Sequence, residues 1–90
     1  MISNKTLKKD LEYQLYKLPK ETRKDILIYL CYMRFCHMKF GLIKKKKLTI
    51  NVEIRSNGTY LYFYNRNTRF YYHRIINLNN FIQLLYSTVS

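Results

Sequence analysis

Acidic side chains are scarce in this sequence: five Asp and Glu stand against seventeen Lys and Arg, a formal net charge of +12 over 90 residues. So lopsided a balance excludes a neutral metabolic enzyme and points to a polyanionic partner, drawn in by counterion release at a raised association rate. A surface that serves solubility alone and an anionic membrane surface are the alternatives. Cysteine is nearly absent. Cys31 and Cys36 lie about 140° apart around a helix and cannot bridge each other there. There is no C-x-x-C, and His37 beside Cys36 lacks further ligands at zinc spacing, so neither a metal nor a cofactor is expected. Two buried thiols in a reducing, cytoplasmic compartment fit this pattern. Long hydrophobic runs are missing too: Ile26 to Met33 is far too short to span a bilayer. The polar, charged first turns are not those of a signal peptide. With no repeat and no linker, residues 1–90 are expected to form a single domain, in which most of the chain must join one core. Tryptophan is absent, but ten Tyr and five Phe are present, and half of the Tyr fall between Tyr60 and Tyr72.

Leu7, Leu11, Leu15 and Leu18 recur at helical spacing and predict an amphipathic helix over Thr6 to Leu18, with Asn4 placed to cap it. Pro19 interrupts that helix and opens a second, at whose first position a missing N–H costs nothing. Glu21 lies in its first turn, and Gly41 is placed to end it as the C′ residue. Between Ile26 and Met33 this helix is apolar on nearly every side. It is therefore the central core helix or part of a dimer interface. Beyond Gly41 the period changes to two, with Leu48, Ile50, Val52 and Ile54 alternating with polar residues. Asn57-Gly58 signals a type I′ hairpin, which pairs Ile54 with Leu61 and Val52 with Phe63. A second turn near Arg66-Asn67 pairs Phe63 with Phe70 and Leu61 with Tyr72. Val52, Ile54, Leu61, Phe63, Phe70 and Tyr72 then form the core face. Asn79 is placed to cap a last helix striped by Leu78, Ile82, Leu85 and Val89. The fold class is α+β: two N-terminal helices on a three-stranded antiparallel meander, then a C-terminal helix (α-α-β-β-β-α).

Strand side chains alternate, so the same register fixes the opposite face. It carries Asn51, Glu53 and Arg55, then Tyr60, Tyr62 and Tyr64, then Arg69, Tyr71 and His73. In this register Arg55 faces Tyr60, Tyr64 faces Arg69, Tyr62 faces Tyr71, and Tyr60 faces His73. Tyrosines edged by arginines and a histidine suit RNA: aromatic planes stack on unpaired bases, at about 1–3 kcal/mol each, and arginines hold the phosphates. The alternative is that these good strand formers merely pack across strands, or are covered by a second subunit. Lys44, Lys45, Lys46 and Lys47 form a run at the sheet's entrance, either a solvated edge-protecting tract or a phosphate clamp.

The stretch Leu18-Pro19-Lys20-Glu21-Thr22-Arg23-Lys24-Asp25-Ile26-Leu27 resembles the helix opening of HigB-type toxins in the RelE/ParE superfamily. Val52-Glu53-Ile54-Arg55-Ser56-Asn57-Gly58 resembles that family's hairpin, and the likeness runs on through Leu61-Tyr62-Phe63-Tyr64 to a third strand holding His73. It spans about residues 17–73. The resemblance implies a small basic toxin paired with an antitoxin protein, cutting messenger RNA on the ribosome without a metal, or poisoning gyrase as in the ParE-like branch. It implies Arg55 as the phosphate-stabilising residue and His73 as acid or base. Glu53 stands where the family usually has a basic residue, and a carboxylate serves as general base in some relatives. Tyr60 stands about where another arginine is expected, the Lys-rich segment after the histidine is replaced by residues 75–80, and the family's first strand is missing or reduced to the residues before Lys5. Three functions follow as expectations: a ribosome-associated endoribonuclease; a non-catalytic RNA- or DNA-binding module of viral or organellar ribosomal type; or a protein-binding inhibitor docking through the second helix.

Overall fold

The computed structural model describes residues 4–90, with side chains from Lys9 onward. The expected Asn4 cap, the Leu7 end of the first stripe and the residues before Asn4 lie outside what is described. The elements are α1 (Asn4–Lys17), α2 (Lys20–Phe35), β1 (Phe40–Lys45), β2 (Leu48–Arg55), β3 (Gly58–Asn65), β4 (Phe70–Ile76) and α3 (Leu78–Val89). The class is α+β as expected, but the antiparallel sheet has four strands, in the order β1-β2-β3-β4.

The additional strand arises because α2 stops before Gly41. Its last turn closes at His37, a left-handed residue (φ 55°). The His37 N–H donates to the Arg34 carbonyl (3.3 Å) and the Met38 N–H to the Met33 carbonyl (2.9 Å). That is a Schellman closure with histidine where glycine is usual. Gly41 instead lies in β1, buried beneath α2. A Cβ there would sit 2.2 Å from Met33 Sδ and 2.9 Å from Tyr29 Cε1. At the other end of α2, Pro19 is the cap rather than the first helical residue. Its carbonyl accepts the Arg23 N–H (3.1 Å).

Both predicted hairpin registers are offset by two residues. Val52 pairs with Leu61 and Ile50 with Phe63; Phe63 pairs with Tyr72 and Asn65 with Phe70. The first loop is Ser56-Asn57, closed by Arg55 and Gly58. Neither loop residue has a positive φ, as a type I′ turn requires; only Gly58 does, at 132°. The second loop has four residues, shaped by Asn65, whose side chain accepts the Asn67 N–H (3.0 Å). Arg69 (φ 58°) belongs to this loop and not to a strand. A slip of two keeps side-chain parity, so the predicted faces hold.

Ile43, Leu48, Ile50, Val52, Leu61, Phe63 and Tyr72 from the sheet join Leu11, Leu15, Leu18, Ile26, Leu30, Met33, Phe81, Ile82 and Leu85 from the helical half in one buried cluster; Ile54 and Phe70 are only partly buried against it. The central helix is α3, which contacts both others, while α2 lies over β1 and α1 over β4. Its twelve residues carry no charge, whereas α2 is charged at both ends and takes the flank. Asn77, not Asn79, caps α3 by accepting the Asn80 N–H (3.2 Å), and Thr88 replaces Val89 in the buried stripe. Arg23 ties the helices together, donating to the Leu18 carbonyl (3.2 Å) and the Thr88 carbonyl (2.7 Å). Cys31 and Cys36 are unbridged, one half-buried and one exposed, so the expected pair of buried thiols is not found. No described helix is long and apolar enough to cross a membrane.

Candidate nucleic-acid interface

The face of the sheet away from the helices carries three rows of side chains. Phe40, Glu53, Tyr60 and Ile75 form the first; Leu42, Asn51, Tyr62 and His73 the second; Lys44, Thr49, Tyr64 and Tyr71 the third. None of these residues belongs to the buried cluster, and among the described residues no element covers them. Phe40 (57%), Leu42 (44%), Tyr71 (51%) and Ile75 (41%) are widely exposed, while Tyr60, Tyr62 and Tyr64 are half-buried by their neighbours.

The rings form one continuous series. Tyr71 meets His73 at 4.8 Å between centroids, Tyr62 edge-on at 5.4 Å and Tyr64 at 6.5 Å. His73 lies 6.4 Å from the Tyr60 ring, which the Arg55 guanidinium overlies at 4.7 Å. Two pairs predicted to face each other directly, Tyr62 with Tyr71 and Tyr60 with His73, are thus diagonal neighbours still in ring contact, as long side chains permit. Arg55 donates to Glu53 at 2.8 Å, a pair that the two-residue spacing on one strand face makes local. The bond to the carboxylate is the main reason the guanidinium is held above its ordinary pKa. Glu53 and Arg55 are therefore together, while His73 lies two strands from them, linked through Tyr60. On this face the side-chain oxygen of Asn51 is buried without a hydrogen-bond partner.

The expected lysine run is divided. Lys44 points to the open face, Lys45 points to the helical side and pairs with Asp25, and Lys46 and Lys47 make the β1–β2 turn, Lys46 at φ 51°. The Arg66 N–H donates to the Lys47 carbonyl (2.8 Å), so this turn and the loop holding Arg66 and Arg69 share one end of the sheet. An aromatic middle thus runs between a basic end and Arg55. The sequence reading missed Phe40 and Leu42, which entered with the unpredicted strand, and Arg66. Burial alternates from Phe40 to Ile43, but the sequence there is apolar apart from glycine and carries no period-two signal. Among the described residues no three His, Cys, Asp or Glu side chains cluster as metal ligands would.

No family model matches the chain, and neither does any curated protein or solved structure.

Proposed function

We propose that the protein binds single-stranded RNA across the open face of the sheet. The observation that carries this reading is the continuous ring series Tyr60–His73–Tyr71–Tyr62/Tyr64, left uncovered on a chain of net charge +12. Unpaired bases stack on the exposed ring of Tyr71 and its neighbours. Phosphates meet Lys44, Lys46, Lys47, Arg66 and Arg69 at one end and Arg55 at the other. Duplex RNA presents no free base planes, so it should bind more weakly. Fluorescence anisotropy on a labelled oligonucleotide tests this. Affinity should fall steeply with salt, and Tyr71→Ala should cost about 1–3 kcal/mol. An affinity that stays flat from low to physiological salt removes nucleic acid as the partner.

Cleavage by this face is the second reading, favoured by the contact series Glu53–Arg55–Tyr60–His73. Arg55 would neutralise charge building on the phosphate, worth about 10²–10³ in rate, and His73 would move a proton, worth about 10²–10⁴. Freeing Arg55 requires the phosphate to displace Glu53, which then becomes available as the base for the 2′-hydroxyl. Arg55→Ala and His73→Ala should each abolish cleavage in chelator while leaving the fold intact. A wild type that never cuts RNA, even with translating ribosomes present, leaves binding as the whole activity.

A further inference from the structure

Beyond the open face, a cleft of about 370 Å³ lies between the end of α2, the start of α3 and the tip of the β2–β3 hairpin. That volume is within the range of about 300–1,000 Å³ typical of small-ligand sites. Met38, Ile54, Ile76 and Leu78 give it an apolar floor, and Arg34, His37 and Lys39 stand among its lining residues with no carboxylate. Arg34 is held in place by one bond, to the neutral Asn79 side chain at 2.8 Å, which leaves most of its donors and all of its charge uncompensated. None of the ion pairs among the described residues includes Arg34 or Lys39. Arg55, in contrast, is already paired with Glu53. An apolar floor beside uncompensated cations selects an amphipathic anion, and the Met38 thioether favours an aromatic ring over an aliphatic one.

We propose that this cleft is a nucleotide site, taking a base on the floor formed by Met38, Ile54, Ile76 and Leu78 and a terminal phosphate on Arg34 and Lys39. The choice of a base among aromatic groups rests on the reading of the open face as an RNA surface. Ile54 and Gly58 of the cleft flank Arg55 in the same hairpin, so the site adjoins the Arg55 end of that face. The ligand is therefore either a free nucleoside 5′-monophosphate or the 5′-phosphorylated end of a strand lying on the sheet, and the chemistry recognised is the same.

Amide chemical shifts of the full chain, followed by NMR during titration with adenosine 5′-monophosphate, test the assignment. Saturable shifts are expected at His37, Met38, Asn77 and Leu78, with adenosine alone about tenfold weaker for want of the charge-assisted contact and inorganic phosphate alone about tenfold weaker for want of the base on the floor. Lys39→Ala should weaken the monophosphate about tenfold. It makes none of the α2–α3 contacts of Arg34, so folding does not confuse the result; Arg34→Ala should weaken it further. Inorganic phosphate binding as well as the monophosphate would overturn the nucleotide assignment, as would shifts confined to Tyr62, Tyr71 and His73, or no shifts. A short oligonucleotide with and without its 5′-phosphate then separates the sources. An affinity gain from the phosphate that Lys39→Ala removes supports the strand end, and no gain while the monophosphate binds supports the free nucleotide. Tyr71→Ala should weaken the oligonucleotide and leave the monophosphate unaffected, so failure of the sheet reading and failure of the cleft are distinguishable.

Discussion

Replacing Gly41 tests the strand that gives each of the three rows on the open face its fourth residue. An alanine Cβ at this position would lie 2.2 Å from Met33 Sδ, 2.9 Å from Met33 Cε and 2.9 Å from Tyr29 Cε1. Ordinary contact begins near 3.4 Å, so the sulfur must retreat by more than 1 Å. Met33 is fully buried but borders the cleft at the end of α2, so its flexible thioether end can give way in that direction only. Tyr29 is restrained as well, since its hydroxyl accepts the Leu42 N–H at 3.2 Å. Overpacking of this kind costs about 1–3 kcal/mol, and each kcal/mol lowers Tm by about 4–8 °C in a domain of this size. Gly41→Ala should therefore lower Tm by about 4 to 24 °C in a thermal melt followed by circular dichroism. Gly41→Asn discriminates the mechanism. At a left-handed C′ position asparagine is the best-tolerated substitute for glycine, whereas under α2 its larger side chain is at least as damaging as alanine. An asparagine variant more stable than the alanine variant would refute the packing argument and return Gly41 to the helix end. The double variant Gly41→Ala/Met33→Ala should cost less than the sum of its parts, because the new methyl occupies space the methionine vacates.

Three further outcomes follow from the packing. Phe63→Ala, at the centre of the core, should cost about 3–5 kcal/mol in urea unfolding; Tyr62→Ala, one residue away on the open face, should cost well under half of that, and the reverse ranking would mean the faces are exchanged. Arg23→Ala removes two charged-donor bonds to carbonyls at helix ends and should cost about 1.5–3 kcal/mol each at most; Arg23→Lys keeps the charge but not the fork, and full stability in the lysine variant would show that the fork is not what holds α1, α2 and α3. Burial raises the Tyr72 hydroxyl above its ordinary value of 10, so the folded state holds that proton more tightly than the unfolded state does. Its stabilising share is intact below pH 10 and is lost as the pH climbs through the raised value. Urea midpoints between neutral and strongly alkaline pH should therefore fall less in Tyr72→Phe than in the parent, and equal falls would remove Tyr72 as a cause.

The alternation of Leu48 to Ile54, Leu61 and Phe63, and Phe70 and Tyr72 was enough to separate the two faces, because burial on one side tolerates only even slips. The register itself was not legible. Asn57-Gly58 carries the sequence signature of a I′ turn, yet Gly58 is used as the first residue of β3. A Cβ at Gly58 would lie 2.7 Å from Ile75 Cγ2, so glycine there answers a close approach between strands as well as a backbone angle. The consequence for the open face is specific. Arg69 left the strand, and Arg55 and His73 kept their face but changed the residues directly opposite them. The apolar surround of α2 misled for a different reason. Ile28, Tyr32 and Phe35 point to solvent, with Phe35 83% exposed, and periodicity has no means of saying which apolar residues a small core will leave uncovered.

The chain has two glycines, and neither of them makes the backbone reversals at His37, Lys46 and Arg69. Those three non-glycine residues adopt φ of 55°, 51° and 58°, each at about 1–2 kcal/mol relative to a right-handed conformation. Lys46 and Arg69 both stand in turns at the basic end of the sheet, where strain is retained if the side chain is used. Glycine in their place should relieve about 1–2 kcal/mol of strain while losing about 0.4–1 kcal/mol through a freer unfolded chain. Lys46→Gly and Arg69→Gly should accordingly match or exceed the parent's stability by up to about 1.6 kcal/mol. Each should also lower the salt slope of RNA binding by about one phosphate contact. A rise in stability with unchanged salt dependence would make these cations bystanders and move the phosphate contacts to Lys44 and Arg66. A loss of stability beyond about 1 kcal/mol would mean that their aliphatic stems pack against the turn. Variants that are more stable and bind less, the expected outcome, would mean that the turns trade folding free energy for charge at the end of the aromatic face.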